Sequence, residues 1–130
     1  MAHPPPRNFR RGFAADAAAA EQITALIALT AASAPALLLG DFNITSRSAH
    51  YAQFVKAGLV DAFRARGRGR GATLPARVMR LPLRPVARVD YIWHTDDLET
   101  LDGWIGAGTG SDHRPVLSRL RLRAFDHNGP

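Results

Sequence analysis

The sequence has no cysteine, so disulfides and thiolate metal sites are excluded, although that absence selects no compartment. Lysine is nearly missing: of 17 lysines and arginines, only Lys56 is a lysine. Glutamate occurs only at Glu21 and Glu99. There is no G-x-S-x-G elbow and no phosphate-binding GK[ST] loop. Gly106, Gly108 and Gly110 suggest a dinucleotide loop, but Ser111 stands where the third glycine belongs and a strand-forming run follows. The uncharged stretch between Glu21 and Asp41 approaches the roughly 20 apolar residues of a membrane span. Thr24, Thr30, Ser33 and Pro35 interrupt it, however, so a helix followed by a buried strand is the better reading. Met1-Ala2-His3 and the three prolines after it form no signal-peptide pattern. As given, the chain is expected to be soluble, with a cytoplasmic location by default.

The 130 residues, 46% hydrophobic and 22% charged, suit one globular domain or part of one. The formal net charge of +6 favours polyanionic partners such as nucleic acid, or reflects an arginine-rich solvated surface.

An alanine-rich run predicts a helix from about Phe13 to Ala32, broken at Ala34-Pro35. Ala36 to Leu39 predicts a fully buried strand leading into Gly40-Asp41. A second helix is expected over Ser48 to Ala57, with Tyr51, Phe54 and Val55 facing inward and Gly58 as its stop. The alternating arginines and glycines of Arg64 to Gly71 predict a flexible basic loop without core residues. Three strands should follow: Arg88 to Trp93, a stretch around Leu101 to Ile105, and Pro115 to Leu122. Residues 1–123 are read as the folded part and 124–130 as a disordered tail. This order indicates an α/β chain.

Three clusters carry chemistry. Gly40-Asp41-Phe42-Asn43 ends the first strand, where a carboxylate and an amide two residues apart on extended backbone would share a side. Asp90 interrupts the strand Arg88-Val89-Asp90-Tyr91-Ile92-Trp93, and a buried acid there needs a partner, either Arg88 or a histidine. Ser111-Asp112-His113-Arg114-Pro115 places an acid beside a histidine in a loop, suited to metal binding or proton transfer. His50 and His94 have no ligand partner at helical or strand spacing and are expected at the surface. Trp93 and Trp104 read as packing residues.

In this order the three clusters resemble the endonuclease/exonuclease/phosphatase superfamily, the deoxyribonuclease I-like group. The resemblance covers about Ala36 to Leu122 and extends through Tyr51 to Phe63. It implies the C-terminal half of a four-layer α/β sandwich, mostly antiparallel sheet with flanking helices. It implies a Mg²⁺- or Mn²⁺-dependent phosphoesterase, in which water attacks a phosphate ester in line.

By the same resemblance, Asp41 orients the attacking water and shares the metal, and Asn43 bonds the scissile phosphate. His113 stabilises or protonates that phosphate, with Asp112 beside it near the metal. Asp90 anchors a histidine, either His113 or another, and His3 matches the position of a second family histidine. Arg64, Arg66, Arg68 and Arg70 are candidate substrate contacts. Family members also carry an asparagine and a metal-binding glutamate in an earlier half, and neither Glu21 nor Glu99 has that context. The resemblance therefore implies a truncated chain, weak or inactive alone, in need of its missing half or a partner chain. Leu37, Leu39 and Val89 would then be exposed. The substrate stays open among DNA, RNA, lipid and inositol phosphates, and relatives can be membrane-anchored. An arginine-rich nucleic-acid-binding module and a non-catalytic remnant are the alternatives.

Overall fold

The computed structural model describes residues 12–124 apart from 76 and 83. His3, His127 and nearly all of the expected tail lie outside the described residues. Ten elements follow one another: helix α1 (Gly12–Ala32), strand β1 (Leu37–Asp41), helix α2 (Ala49–Lys56), strand β2 (Val60–Asp61), helix α3 (Ala62–Arg66), strands β3 (Arg77–Val78), β4 (Leu81–Pro82), β5 (Asp90–His94), β6 (Leu98–Ile105) and β7 (Val116–Leu122). They form three antiparallel sheets, ordered β1-β5-β2, β3-β4 and β6-β7. No helix among the described residues is long and apolar enough to cross a membrane.

Helix α2 shows how local sequence fixes the ends. Ser48 is its N-cap, and its hydroxyl accepts from the Tyr51 backbone N–H at 3.1 Å. At the other end Gly58 takes φ +85, a left-handed stop open to glycine at no steric cost, and Leu59 N then donates to Phe54 O at 3.1 Å. This turn sends the chain into β2, which adds to the far edge of β5.

Tyr51, Phe54, Leu59, Tyr91 and Trp93 form the core with Ile23 of α1. Trp93 is stacked on Phe54 at 4.8 Å between ring centroids and on Tyr91 at 5.6 Å. The packing of Trp93 agrees with its reading from sequence, and Trp104 is half-buried on β6. This aromatic block packs β5 against α2, and β5 carries Asp90 at its first position.

Several expectations are corrected. Strand β1 is not fully buried: Leu38 packs against the core, whereas Leu37 and Leu39 are exposed. Successive strand residues point to opposite faces, and among the described residues only one face is covered. Val89, expected in water with them, is buried, its N–H bonded to Thr73 Oγ1. Val55 is exposed, because Tyr51 and Phe54 alone define the inward stripe of a two-turn helix. His94 is fully buried, Nδ1 2.8 Å from Thr95 O and Nε2 2.7 Å from the Thr100 hydroxyl. Satisfying both ring nitrogens is what allows burial. His50 is half-buried, its Nδ1 3.3 Å from Gln53 Oε1.

The stretch from Arg64 to Gly71 is not a flexible loop without core contacts. Arg64 to Arg66 complete α3, Arg68 N donates to Gly103 O at 3.0 Å, and Gly67 bridges to Gly103 of β6. A Cβ at Gly67 or Gly71 would strike the ring of Phe63, a buried residue.

Candidate active site

Two carboxylates face each other across a strand pair. Asp41 is the last residue of β1 and Asp90 the first of β5, and the antiparallel register makes them direct partners. Like charges opposite one another destabilise a sheet unless a hydrogen-bond donor or a cation comes between them. His113 does so from the loop before β7. Its Nδ1 lies 2.8 Å from Asp90 Oδ2, and its Nε2 lies 3.9 Å from Asp41 Oδ2. The loop is shaped locally by the Ser111 hydroxyl, which accepts from His113 N–H at 3.1 Å.

The choice left open for Asp90 is thereby settled in favour of a histidine. Arg88 turns elsewhere, to Asp61, which receives Nη1 at 2.9 Å and Nη2 at 2.7 Å. Asp61 also accepts from the Tyr51 hydroxyl at 2.8 Å and caps α3 through Phe63 N and Arg64 N. The Arg88 guanidinium lies over Tyr91 at 4.6 Å and over Phe63 at 5.3 Å. Burial pushes the Tyr91 phenol up to about 12. Its hydroxyl has two carbonyl acceptors within reach of its one proton, Arg88 O at 2.9 Å and Ile44 O at 3.1 Å. Asp61 was not singled out from sequence. The signal was available in Gly58-Leu59-Val60-Asp61-Ala62-Phe63, where an acid precedes a short helix and so can cap it.

Burial works to lower the His113 pKa, but the hydrogen bond to Asp90 and the charges of Asp90, Asp41 and Asp112 outweigh it. The net shift is upward from 6.5. Asp90 and His113 are largely shielded, while Asp41 is 49% exposed and opens to solvent. They border a cavity of about 360 Å³ whose wall includes Thr109, Ser111 and Arg114.

Asp112 does not join them. Its side chain is exposed, and Ser111 Oγ donates to its Oδ1 at 3.3 Å. Asp112 borders no part of the cavity and acts on His113 through its charge. Asn43 is also outside the cavity wall. The backbone is not extended there: φ is +53, and Asn43 N donates to Asp41 Oδ1 at 2.8 Å. This turn orients the Asp41 carboxylate and leaves Oδ2 toward His113. Arg64, Arg66, Arg68 and Arg70 border no part of the cavity, and Arg68 is paired with Asp102 at 2.8 Å.

Asp41, Asp90 and His113 each offer one ligand atom within 4.8 Å of the others, close enough to hold a metal ion. A hard divalent cation takes about six oxygens. Here Asp90 Oδ2 is committed to His113, and a ring whose pKa is raised is a reluctant ligand. The residues therefore fit one flank of such a site, centred on Asp41. Glu99 is not available to it, being tied to Arg121 at 2.6 Å.

Residues 3–113 match the Endonuclease/Exonuclease/phosphatase family. No curated protein gives a significant match. Among solved structures, an endonuclease/exonuclease/phosphatase from Bacteroides vulgatus is 28% identical with TM-score 0.63, covering 80% of this chain and 42% of that one. Another, from Beutenbergia cavernae, is 25% identical with TM-score 0.66, over 80% and 31% of the two chains. A mannosyl-6-phosphatase from Bacteroides thetaiotaomicron is 22% identical with TM-score 0.60, over 80% and 44%, and shares the fold. This chain thus spans less than half the length of each of these structures. The mixed α/β architecture with antiparallel sheets is the one they share with it.

Proposed function

The chain belongs to the endonuclease/exonuclease/phosphatase family, and from that premise we propose that it hydrolyses phosphate esters at the cavity bordered by Asp41, Asp90 and His113. The observation that carries this reading is the clamping of His113: Asp90 takes Nδ1 at 2.8 Å, and Nε2 is left toward Asp41 and the cavity. A carboxylate on Nδ1 accepts that nitrogen's proton, fixes the ring's orientation and favours the doubly protonated ring, whose Nε2–H is then available to a phosphate oxygen. His113 then neutralises charge on the phosphoryl group and protonates the departing oxygen. Asp41 Oδ2 orients the water that attacks from the open side.

Asp41 is the proposed protein ligand of a Mg²⁺ or Mn²⁺ ion, which when bound supplies Lewis acidity to the phosphate. With Asp41 as the protein ligand, most of a six-oxygen shell is left to water and substrate, so turnover by these 130 residues alone is proposed to be slow or lacking. The exposed face of β1 at Leu37 and Leu39 is the proposed contact for the structure that completes the site.

The test is release of nitrophenol from a nitrophenyl phosphate and from its diester, with Mg²⁺ or Mn²⁺, together with binding of inorganic phosphate followed by NMR of His113. Phosphate binding should perturb the His113 ring, and any release should vanish with a chelator and in Asp41→Ala and His113→Ala. Release that survives both substitutions, or phosphate binding that leaves His113 untouched, would overturn the proposal.

A further inference from the structure

Most described arginines near acids are committed to them. Arg68 pairs with Asp102, Arg88 with Asp61, Arg121 with Glu99 and Arg123 with Asp96. Arg114 differs. It borders the cavity next to His113, it has no carboxylate partner among the described residues, and its Nε is buried without a hydrogen-bond partner. A buried N–H without an acceptor is costly, and at a cavity wall an anion is the partner that this half-buried guanidinium can take.

The backbone at Arg114 is held in place. Arg114 N donates to Thr73 O at 2.9 Å, and the buried Thr73 accepts from Val89 N through Oγ1 at 3.3 Å. Val89 precedes Asp90, so one short hydrogen-bonded path ties Arg114 to the strand that anchors His113. The side chain therefore starts from a fixed point at the cavity wall.

We infer that Arg114 is a substrate-binding residue that favours phosphate monoesters over diesters. This rests on the cavity being a phosphate site, as proposed above. A diester offers two non-bridging oxygens; once His113 Nε2 takes one, a single oxygen remains. A monoester offers three terminal oxygens with nearly two charges among them. After His113 takes one, two remain, and two parallel N–H groups of a guanidinium match such a pair. Asp41 and Asp90 repel any phosphate, and the doubly charged one gains most from a permanent cation beside them.

The experiment measures dissociation constants of methyl phosphate and dimethyl phosphate for the full chain without metal, by NMR, at about pH 7, where the monoester is mostly a dianion. The native protein should bind methyl phosphate more tightly. Arg114→Gln should weaken methyl phosphate by about tenfold or more and dimethyl phosphate by less than about threefold, as expected for loss of charge-assisted hydrogen bonds. His113→Ala should weaken both. Should Arg114→Gln not fold, Arg114→Lys, which keeps the charge and loses the fork, should still weaken methyl phosphate by about threefold or more. Methyl phosphate binding that Arg114 substitutions leave unchanged, or that falls equally with dimethyl phosphate, overturns the role of Arg114 while His113→Ala still reports a phosphate site. If the native protein binds neither ligand, or His113→Ala changes nothing, the phosphate reading fails and this inference with it.

Discussion

Asp90 and His113 lie 23 residues apart in sequence, yet Asp90 Oδ2 and His113 Nδ1 stand 2.8 Å apart. The contact joins the start of β5 to the loop before β7. Asp90→Asn should lower the His113 pKa toward its ordinary value, because both the charge and the acceptor disappear. It should also reduce any phosphate-ester turnover by about 10–100-fold, the usual effect of losing a carboxylate that orients a working histidine. An NMR titration of the ring decides the first point even where turnover is too slow to measure.

The same contact predicts how stability follows pH. The native His113 pKa is raised above its unfolded value of about 6.5. Its contribution is thus fully present below the unfolded value and is lost as pH rises through the native one. Melting temperatures of the native protein and of His113→Gln should differ most at acid pH and converge on the alkaline side. A difference that grows with rising pH would contradict the assignment.

Asp61 and Arg88 form a buried bidentate pair, with side chains 2% and 12% exposed. Removing one partner strands the other charge. Asp61→Ala should therefore destabilise the fold by about 3–5 kcal/mol, measured by chemical denaturation. It also deletes the cap of α3, which adds about 1 kcal/mol. Replacing both partners together with apolar residues of similar volume should cost less than replacing either alone.

Metal binding separates two acids that are both near His113. Mn²⁺ affinity, followed by its relaxation of solvent water, should fall by about tenfold or more in Asp41→Ala. Asp112→Ala should change it by less than about twofold, because Asp112 does not border the cavity. Equal losses in the two variants would place the ion elsewhere.

How far these features could be read from sequence depended on how local their causes are. The start and stop of α2 follow from Ser48 and Gly58, within one turn of the helix itself. The convergence of Asp41, Asp90 and His113 was legible because three short motifs resembled one family, not because spacing revealed it. Asp90 alone left Arg88 and a histidine equally open. The choice was made by Asp61, from another strand, which claims the guanidinium first. His94 was misplaced because its partner Thr100 lies beyond a turn, and a histidine with both nitrogens satisfied is as buried as any apolar residue. Leu37 and Leu39 are apolar, but one strand cannot hide both of its faces when only one is covered.

The glycines after α3 give this protein a requirement on length. Composition alone makes Arg64 to Gly71 look like a tract that could gain or lose an Arg-Gly pair unnoticed. Yet Gly67 and Gly71 both lie against the ring of Phe63, Gly71 with a φ of +72, and Arg68 N is bonded to Gly103 of β6. Insertion of one more Arg-Gly pair before Gly71 would preserve the alternation, yet shift every later residue relative to that ring. In this segment the fold counts residues, and an alteration that leaves the apparent repeat intact would still misplace the strands that follow.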